Sequence, residues 1–561
     1  MTLPLILSWL WPLLLAPLVL QPRRHWLVAL APLPALATAL WIPAGARVEL
    51  PWLLVGATLG LDTPGRIFLG FTALLWLVAA VHAVRALRDS PHAGRFHLFF
   101  LFAMAGNLWL IVALDLVSFY TGFALMGIAS YGLVIYDGRR ESLRAGKVYL
   151  ILTLLGEATL FLALVLIAHQ TGSLAPSATA LTALDDLAIG LLILGLAVKA
   201  GLMPLHVWLP LAHPAAPVPA SAVLSGTMIK AALLGWLRFL PLGALALPHW
   251  GLLLVLAGLI TAILAPLIGL IQTNPKVVLA YSSVAKMGFM TLALGLLLIE
   301  PRLALVGVPA LAFYAGHHAL TKGGLFLGVG LRHTSGRQPM ILAGLSLLVL
   351  VMIGAPLTSG AITKDGLKPV LEVLDWRWLG AGLGLASVVT ALLMARFLWL
   401  MWRTEPHPEP GYRAAGAAWG LLIAAILVLP PAIALSDGAK LGWTTNLNLI
   451  AIALALGLPV LLAALQRPGT LDGILDRIPP GDLLEALRPL PPLWRWSQRW
   501  IWCRWVAWRE RLLAPRIDWI DRQWHATRTS PVERQMERWL VAGTLWAGLV
   551  LSIVLAVIRW L

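Results

Sequence analysis

The stretch AVKAGLMPLHVWLP, residues 197–210, decides how the rest of the chain is read. It lies inside an apolar run of spanning length, carries Lys199, and five residues later meets the helix breaker Pro204. A lysine at the bilayer centre costs at least about 2.5 to 3.5 kcal/mol by insertion scales. A proline inside a helix also removes a backbone donor. Both are tolerated at membrane depth only where the backbone is buried in protein or lines a wet cavity, so a broken helix inside a membrane bundle is predicted. A second stretch, GAPLTSGAITKDGLKP (354–369), again places Gly and Pro beside a lysine, Lys364. Paired broken helices point to an inverted-repeat transporter core, with repeats at 97–240 and 250–402.

The rest of the chain agrees with a membrane reading. It has 561 residues, 60% hydrophobic and 12% charged, with a mean hydropathy of +0.86, too apolar for a soluble domain of this length. Apolar runs predict helices at 2–20, 26–43, 67–87, 97–114, 115–136, 148–169, 187–209, 217–240, 250–272, 277–299, 303–331, 341–370, 380–402, 414–434, 447–465 and 539–560. The expected fold is an all-α polytopic membrane protein with about 16 transmembrane helices, two of them broken. N-terminal helices fill 1–96, the two repeats follow, and C-terminal core helices occupy 403–465. An amphipathic lateral helix is expected at 483–538 and a final span at 539–561. In that lateral segment Trp494, Ile501, Trp505, Trp508, Leu512 and Trp519 recur on one stripe with arginines off it. Such a helix lies flat at the interface, as an aromatic anchor or as a strut bracing a neighbouring subunit. The first run, Leu3 to Leu20, has no basic segment before it and no small-residue cleavage site after it, and reads as a retained helix.

Composition also excludes several chemistries. One cysteine, Cys503, leaves no disulfide framework, CxxC metal site or cysteine-held iron–sulfur cluster. Neither GxGxxG nor GxxxxGK[ST] occurs, so no nucleotide site is signalled. No cofactor and no redox or hydrolytic centre is expected in this chain. The net charge of +16 falls in short loops between apolar runs. Alternate loops gather about fourteen basic residues on one side against roughly eight on the other, the positive-inside pattern rather than a nucleic-acid surface. A bacterial inner-membrane location follows, with the basic side cytoplasmic and both termini periplasmic.

The informative residues are charges at membrane depth: Lys199, Lys230, Lys286, Lys322 and Lys364. Taking an ammonium out of water favours the neutral amine, so groups of this kind can gain and lose a proton. His206, His317 and His318 add imidazoles that titrate near neutrality without help. His318 and Lys322 are four residues apart, on one helix face. Ser225, Ser283 and Ser359 are among the hydroxyls that supply a polar axis. Duller readings stand beside these. Lys286 and Lys322 snorkel if the span ends lie closer than drawn, Lys364 is half of a local ion pair with Asp365, and His213 is a cap or hinge in a Pro-rich turn. Glu157 is the one acid within its span, and a buried carboxylate demands a cationic partner or a shared proton.

Four stretches in order, LAVKAGLMPLHVWLPLAHPAAPVPASAVLSGTMIKAALLGWLR (196–238), NPKVVLAYSSVAKMGF (274–289), HHALTKGGLFLGVG (317–330) and GAPLTSGAITKDGL (354–367), resemble one family. They look like the proton-conducting, antiporter-like subunits shared by respiratory complex I, Mrp cation/proton antiporters and membrane-bound hydrogenases, nearest the hydrogenase and Mrp branch. The resemblance covers residues 60–435 and implies two inverted five-helix repeats and a C-terminal lateral helix. By this likeness Lys199 matches the lysine of the broken seventh helix, Lys230 that of the eighth, and His318 and Lys322 the polar pair of the eleventh. Lys364 matches the lysine of the broken twelfth, and Asp62 an acid before the third. Two positions depart from the pattern. Ala124 stands where the fifth helix carries a glutamate, so either Glu157 replaces that acid or the half-channel is inactive. Lys286 stands where a neutral or acidic group is more usual.

The implied function is proton translocation along a central Lys/His axis, in a non-redox subunit of a complex I-like or hydrogenase-like complex. Expected partners are other membrane subunits, with a redox module or a soluble partner protein, and the lipid bilayer. The alternatives are an Mrp-type Na⁺(K⁺)/H⁺ antiporter subunit, a gradient-coupled subunit of an inorganic-carbon uptake complex, and a structural relic.

Overall fold

The computed structural model describes residues 2–334, 338–405, 407, 413–436, 453 and 457. The lateral helix 483–538, the final span, Cys503 and all of 447–465 but two residues lie outside the described residues. The described helices belong to the unit Met1–Leu484.

After α1 (Thr2–Leu15) come 3₁₀ turns over Leu18–Leu20 and Pro22–Leu30, then α2 (Leu33–Trp41). β1 (Arg47–Leu50) pairs antiparallel with β2 (Ala57–Gly60), Arg47 opposite Gly60. The chain continues through α3 (Thr63–Ala86), α4 (Ala93–Val112), α5 (Leu116–Val134), α6 (Arg140–Thr171) and α7 (Asp186–Ala200). Next are the short α8 (Trp208–Ala215) and α9 (Val218–Val223), a π-turn over Leu224–Met228, and α10 (Lys230–Phe239). Then follow α11 (Pro248–Leu270), α12 (Pro275–Ile299), α13 (Ala304–Thr334), α14 (Gln338–Ile353), α15 (Ser359–Leu371), α16 (Arg377–Arg403) and α17 (Arg413–Ser436). Twelve helical segments among the described residues are long and apolar enough to cross a membrane.

The span expected at 26–43 is corrected. Pro22, Pro32 and Pro34 withhold backbone donors, and the helix that forms, α2, has 9 residues, about 14 Å at 1.5 Å per residue against a hydrocarbon core of about 30 Å. The hairpin after it went unread, because its strands have four residues each. Both predicted breaks are present. α7 stops at Gly201, φ +70°, and α14 at Gly354, φ +81°, the left-handed conformation that glycine adopts without penalty. A proline follows each within three residues.

Helices start on side-chain caps. Asp62, Asp115, Asp185, Asn274 and Thr358 accept a backbone N–H of the first turn of α3, α5, α7, α12 and α15. Their ends are satisfied differently. The last carbonyls of a helix have no partner within it, and hydrocarbon offers no water. Arg66 donates to Ala39 O and Leu40 O at the end of α2 (3.0 and 3.2 Å). Arg238 donates to Leu110 O, Ile111 O and Ala113 O at the end of α4 (3.0, 2.7 and 2.7 Å). Lys276 serves His213 O and Ala216 O after α8 (3.1 and 2.6 Å), and Arg332 serves Met401 O and Trp402 O of α16 (2.9 and 3.2 Å). Part of the positive charge is therefore structural, matching the negative ends of other helices.

Close helix pairs meet through glycine. A Cβ on Gly122 of α5 would stand 2.9 Å from Gly106 O of α4, and one on Gly195 of α7 would stand 3.1 Å from Gly156 O of α6. Small residues let backbones approach where lipid supplies no hydrophobic drive between helices. At the centre, residues 219–237 are buried throughout, while α6 and α11 keep apolar faces outward. The most shielded segment carries Lys230.

Candidate functional site

The site is built around the π-turn. Ile229 N–H donates to Leu224 O, five residues back (3.4 Å), so Ser225 O loses the partner a regular α-helix would give it. Lys230 Nζ takes that carbonyl at 2.5 Å. The Ser225 and Ser283 hydroxyls lie 2.5 Å apart, and Ser283 Oγ also donates to Leu279 O at 3.0 Å. Since that bond uses the Ser283 proton, Ser225 is the donor between the two serines. Lys322 Nζ of α13 donates to the same Leu279 O at 2.9 Å. Lys230, Ser225, Ser283 and Lys322 are all 0% exposed. One buried series thus joins α10, α12 and α13.

His318, one turn before Lys322, is fully buried, and neither ring nitrogen has a hydrogen-bond partner among the described residues. It lies within electrostatic reach of Lys230, Lys322, His317 and Lys286. His317 Nδ1 is 3.0 Å from Ser359 Oγ in the first turn of α15, which ties the row to the second broken helix.

Lys199 sits in the last turn of α7, 4% exposed. Its Nζ donates to Tyr149 Oη of α6 at 3.2 Å, and the Tyr149 hydroxyl donates to Gly127 O of α5 at 2.9 Å. The amine also stands 5.5 and 5.7 Å from the ring centres of Tyr149 and Phe123. Glu157 is buried on α6 and lies against Gly127, where a Cβ would overlap its carboxylate. Its Oε1 has no hydrogen-bond partner among the described residues. Glu157, Thr153 and Lys199 line a void of about 10 Å³, room for about one water. Ala124 lies one turn before Gly127 and is half-buried. Glu157 of α6 thus sets a carboxylate against the stretch of α5 that carries Ala124 and Gly127.

His206 is buried on the turn after the break, its ring centre 5.9 Å from that of Tyr281, two residues before Ser283 on α12. Trp208 Nε1 donates to Val198 O at 2.9 Å and straps α8 back onto α7. His213 stacks on Phe326 with ring centres 4.5 Å apart.

At the far end Lys364 Nζ donates to Ile353 O, the last carbonyl of α14, at 3.2 Å. The charge of Asp365 acts on Lys364, but its close contact is elsewhere. Asp365 pairs with Lys368 at 2.8 Å, because residues three apart share a helix face and adjacent ones do not. Lys286, Lys364, Asp365, Lys368 and Glu372 line one cavity of about 260 Å³.

Asp62 is bound by Arg238 through Nε (2.9 Å) and Nη2 (2.7 Å) while it caps α3. Burial alone would raise its carboxyl, but the Arg238 guanidinium and the Gly65 N–H outweigh burial and hold it below the usual carboxylate range. Asp62 is a brace. Tyr149 and Arg238 were missed by the sequence reading. A polar-tipped ring eight residues before the lone Glu157 was the available signal for Tyr149, and nothing local marked Arg238.

The chain is similar to known membrane proteins. The family described as NADH:quinone oxidoreductase/Mrp antiporter, transmembrane, matches residues 113–390. Hydrogenase-4 component B of Escherichia coli (strain K12) is 33% identical over 299 residues, 51% of this chain and 44% of that one. The match therefore spans less than half of that relative's length. NADH-quinone oxidoreductase subunit N of Ectopseudomonas mendocina is 30% identical over 363 residues, 59% of this chain and 72% of that one. Among solved structures, a chain of the Mrp complex from Dietzia sp. DQ12-45-1b shares the fold at TM-score 0.67 and 22% identity, covering 83% of this chain and 100% of that one. A chain of the membrane-bound sulfane sulfur reductase, an archaeal respiratory membrane complex, does so at 0.64 and 22%, covering 83% and 98%.

Proposed function

The chain belongs to the NADH:quinone oxidoreductase/Mrp antiporter transmembrane family, and from that premise we propose that it moves protons along its buried Lys/His row, as one subunit of a multisubunit complex in the bacterial inner membrane. Its partners are other membrane subunits, together with a redox module or a soluble protein that supplies the driving step.

The series Lys230–Ser225–Ser283–Lys322 supports this reading most directly. A carbonyl only accepts a hydrogen bond, whereas a hydroxyl accepts one proton while releasing another. Ser225 and Ser283 are therefore the conducting members, and Ser225 O and Leu279 O are the rests that hold each amine. When the Lys230 ammonium turns from Ser225 O to Ser225 Oγ it gives up a proton, Ser225 passes its own to Ser283, and Ser283, turning its hydroxyl from Leu279 O, passes its own to Lys322 in the neutral amine form. Glu157 and Lys199 line one small void, which puts the one carboxylate of α6's buried face next to the amine at the first break.

Protons are preferred to sodium because a sodium site needs carboxylates or bare carbonyls. Among the described residues the buried acids are Asp115, whose carboxylate is committed to the Thr58 and Ser118 N–H groups, and Glu157. The test is Lys230→Ala in the intact complex reconstituted into vesicles. Proton uptake should fall to background while the complex assembles as before. Wild-type uptake in that variant would retire the row as the route.

A further inference from the structure

The cavity of about 260 Å³ between α11, α12, α15 and α16 carries more positive charge than the proton row alone requires. Lys286, Lys364 and Lys368 line it against Asp365 and Glu372, three amines to two carboxylates, a formal excess of one positive charge. Neither carboxylate makes a close ion pair with a deep amine, although the charge of Asp365 reaches Lys364. Asp365 is taken by Lys368 at 2.8 Å, and Glu372 is exposed just past the end of α15. Among the described residues neither Lys286 nor Lys364 has an ion-pair partner, and Lys286 makes no hydrogen bond, although it is 6% exposed. Ser387 of α16 also lines the cavity and makes no hydrogen bond to a described residue. The Thr390 hydroxyl, by contrast, is committed to Ala386 O at 2.7 Å.

Two ammonium groups facing one cavity repel each other, and the repulsion grows as the surroundings become less polar. A single monovalent anion between them cancels the excess charge and accepts the donors that protein acceptors leave over. We propose that this cavity binds a small monovalent inorganic anion, chloride in the simplest case, held by the Lys286 and Lys364 amines and the Ser387 hydroxyl. The site stands on the cavity and its donors and does not depend on the proposed proton route. Where that route also operates, the anion lets both amines carry a proton at once.

The test is chloride binding to the intact complex in mild detergent, in gluconate buffer, read from the chloride NMR line width. The wild type should broaden the resonance beyond a detergent blank, and bromide should compete the excess away. Lys286→Met, which removes the amine without leaving a hole, should lose the bromide-sensitive excess. Ser387→Ala, the milder change, should weaken it several-fold, and Lys368→Gln, which removes the excess positive charge and frees Asp365 beside Lys364, should weaken it too. Undiminished broadening in both Lys286→Met and Ser387→Ala, or none competed by bromide in the wild type, overturns the site and leaves water between one ammonium and one neutral amine.

Discussion

Glu157 is the residue whose role depends most on its neighbours. On α6 its carboxylate lies against Gly127, one turn from Ala124 on α5, and it lines one void with Lys199. If it holds the charge that governs that lysine, Glu157→Gln should cut proton uptake by the reconstituted complex at least tenfold. Adding Ala124→Glu should restore part of it, since the new carboxylate starts one turn from Gly127, where the Glu157 carboxylate now rests. Uptake measured in the single and double variants decides this, and a double variant as inactive as the single one removes Glu157 from the role. Tyr149 acts alongside it as a positioning residue, its proton given to Gly127 O and its oxygen left to Lys199.

The broken helices work because of where they stop. Gly201 has φ +70° and its added Cβ meets nothing closer than 4.0 Å, so Gly201→Ala is penalised by backbone conformation and not by a clash. The expected loss is about 1 kcal/mol. Gly416 lies inside α17 with open space around it, and Gly416→Ala should be neutral or raise stability by up to about 1 kcal/mol. Thermal unfolding in one detergent should therefore come earlier in Gly201→Ala and not earlier in Gly416→Ala, and an unshifted Gly201→Ala would remove the glycine break as a conformational requirement. The π-turn is the second device at this scale. By shifting one backbone bond it frees a carbonyl beside Lys230, and a buried amine without such an acceptor would be left unsatisfied.

Across the whole molecule, cations tie together helices far apart in sequence. Arg238 reaches Asp62 over 176 residues and holds three carbonyls of α4, joining α3 and α4 to the helix that carries Lys230. Asp62→Asn should cost about 1 to 3 kcal/mol, less than the loss of a wholly isolated pair because the carbonyls still receive the guanidinium. The folded state holds the Asp62 carboxyl below its unfolded range. Its contribution is therefore complete above about pH 4 and is lost as pH falls toward the folded value. Between neutral pH and pH 3, wild-type stability should drop more steeply than that of Asp62→Asn, and parallel curves would remove the ion pair from the account.

Local chemistry settled much of this protein in advance. Apolar runs made the membrane bundle legible, and lysines inside them marked amines that had to be shielded, because desolvation allows such charges only at a protected site. Gly and Pro beside Lys199 and Lys364 made both breaks legible, because φ limits and missing donors act within a few residues. Proline spacing in residues 22–43 could have removed one span as well. What no local pattern carried was the identity of each partner: Leu279 O for Lys322, Ser225 O for Lys230, Lys368 rather than Lys364 for Asp365, Arg238 for Asp62. Those pairings depend on which helices meet and at what height, and hydrogen bonds discriminate between acceptors over tenths of an ångström. The sequence alone determined which charges had to be protected and where helices had to stop, and only tertiary packing decided which atom each charge rests on.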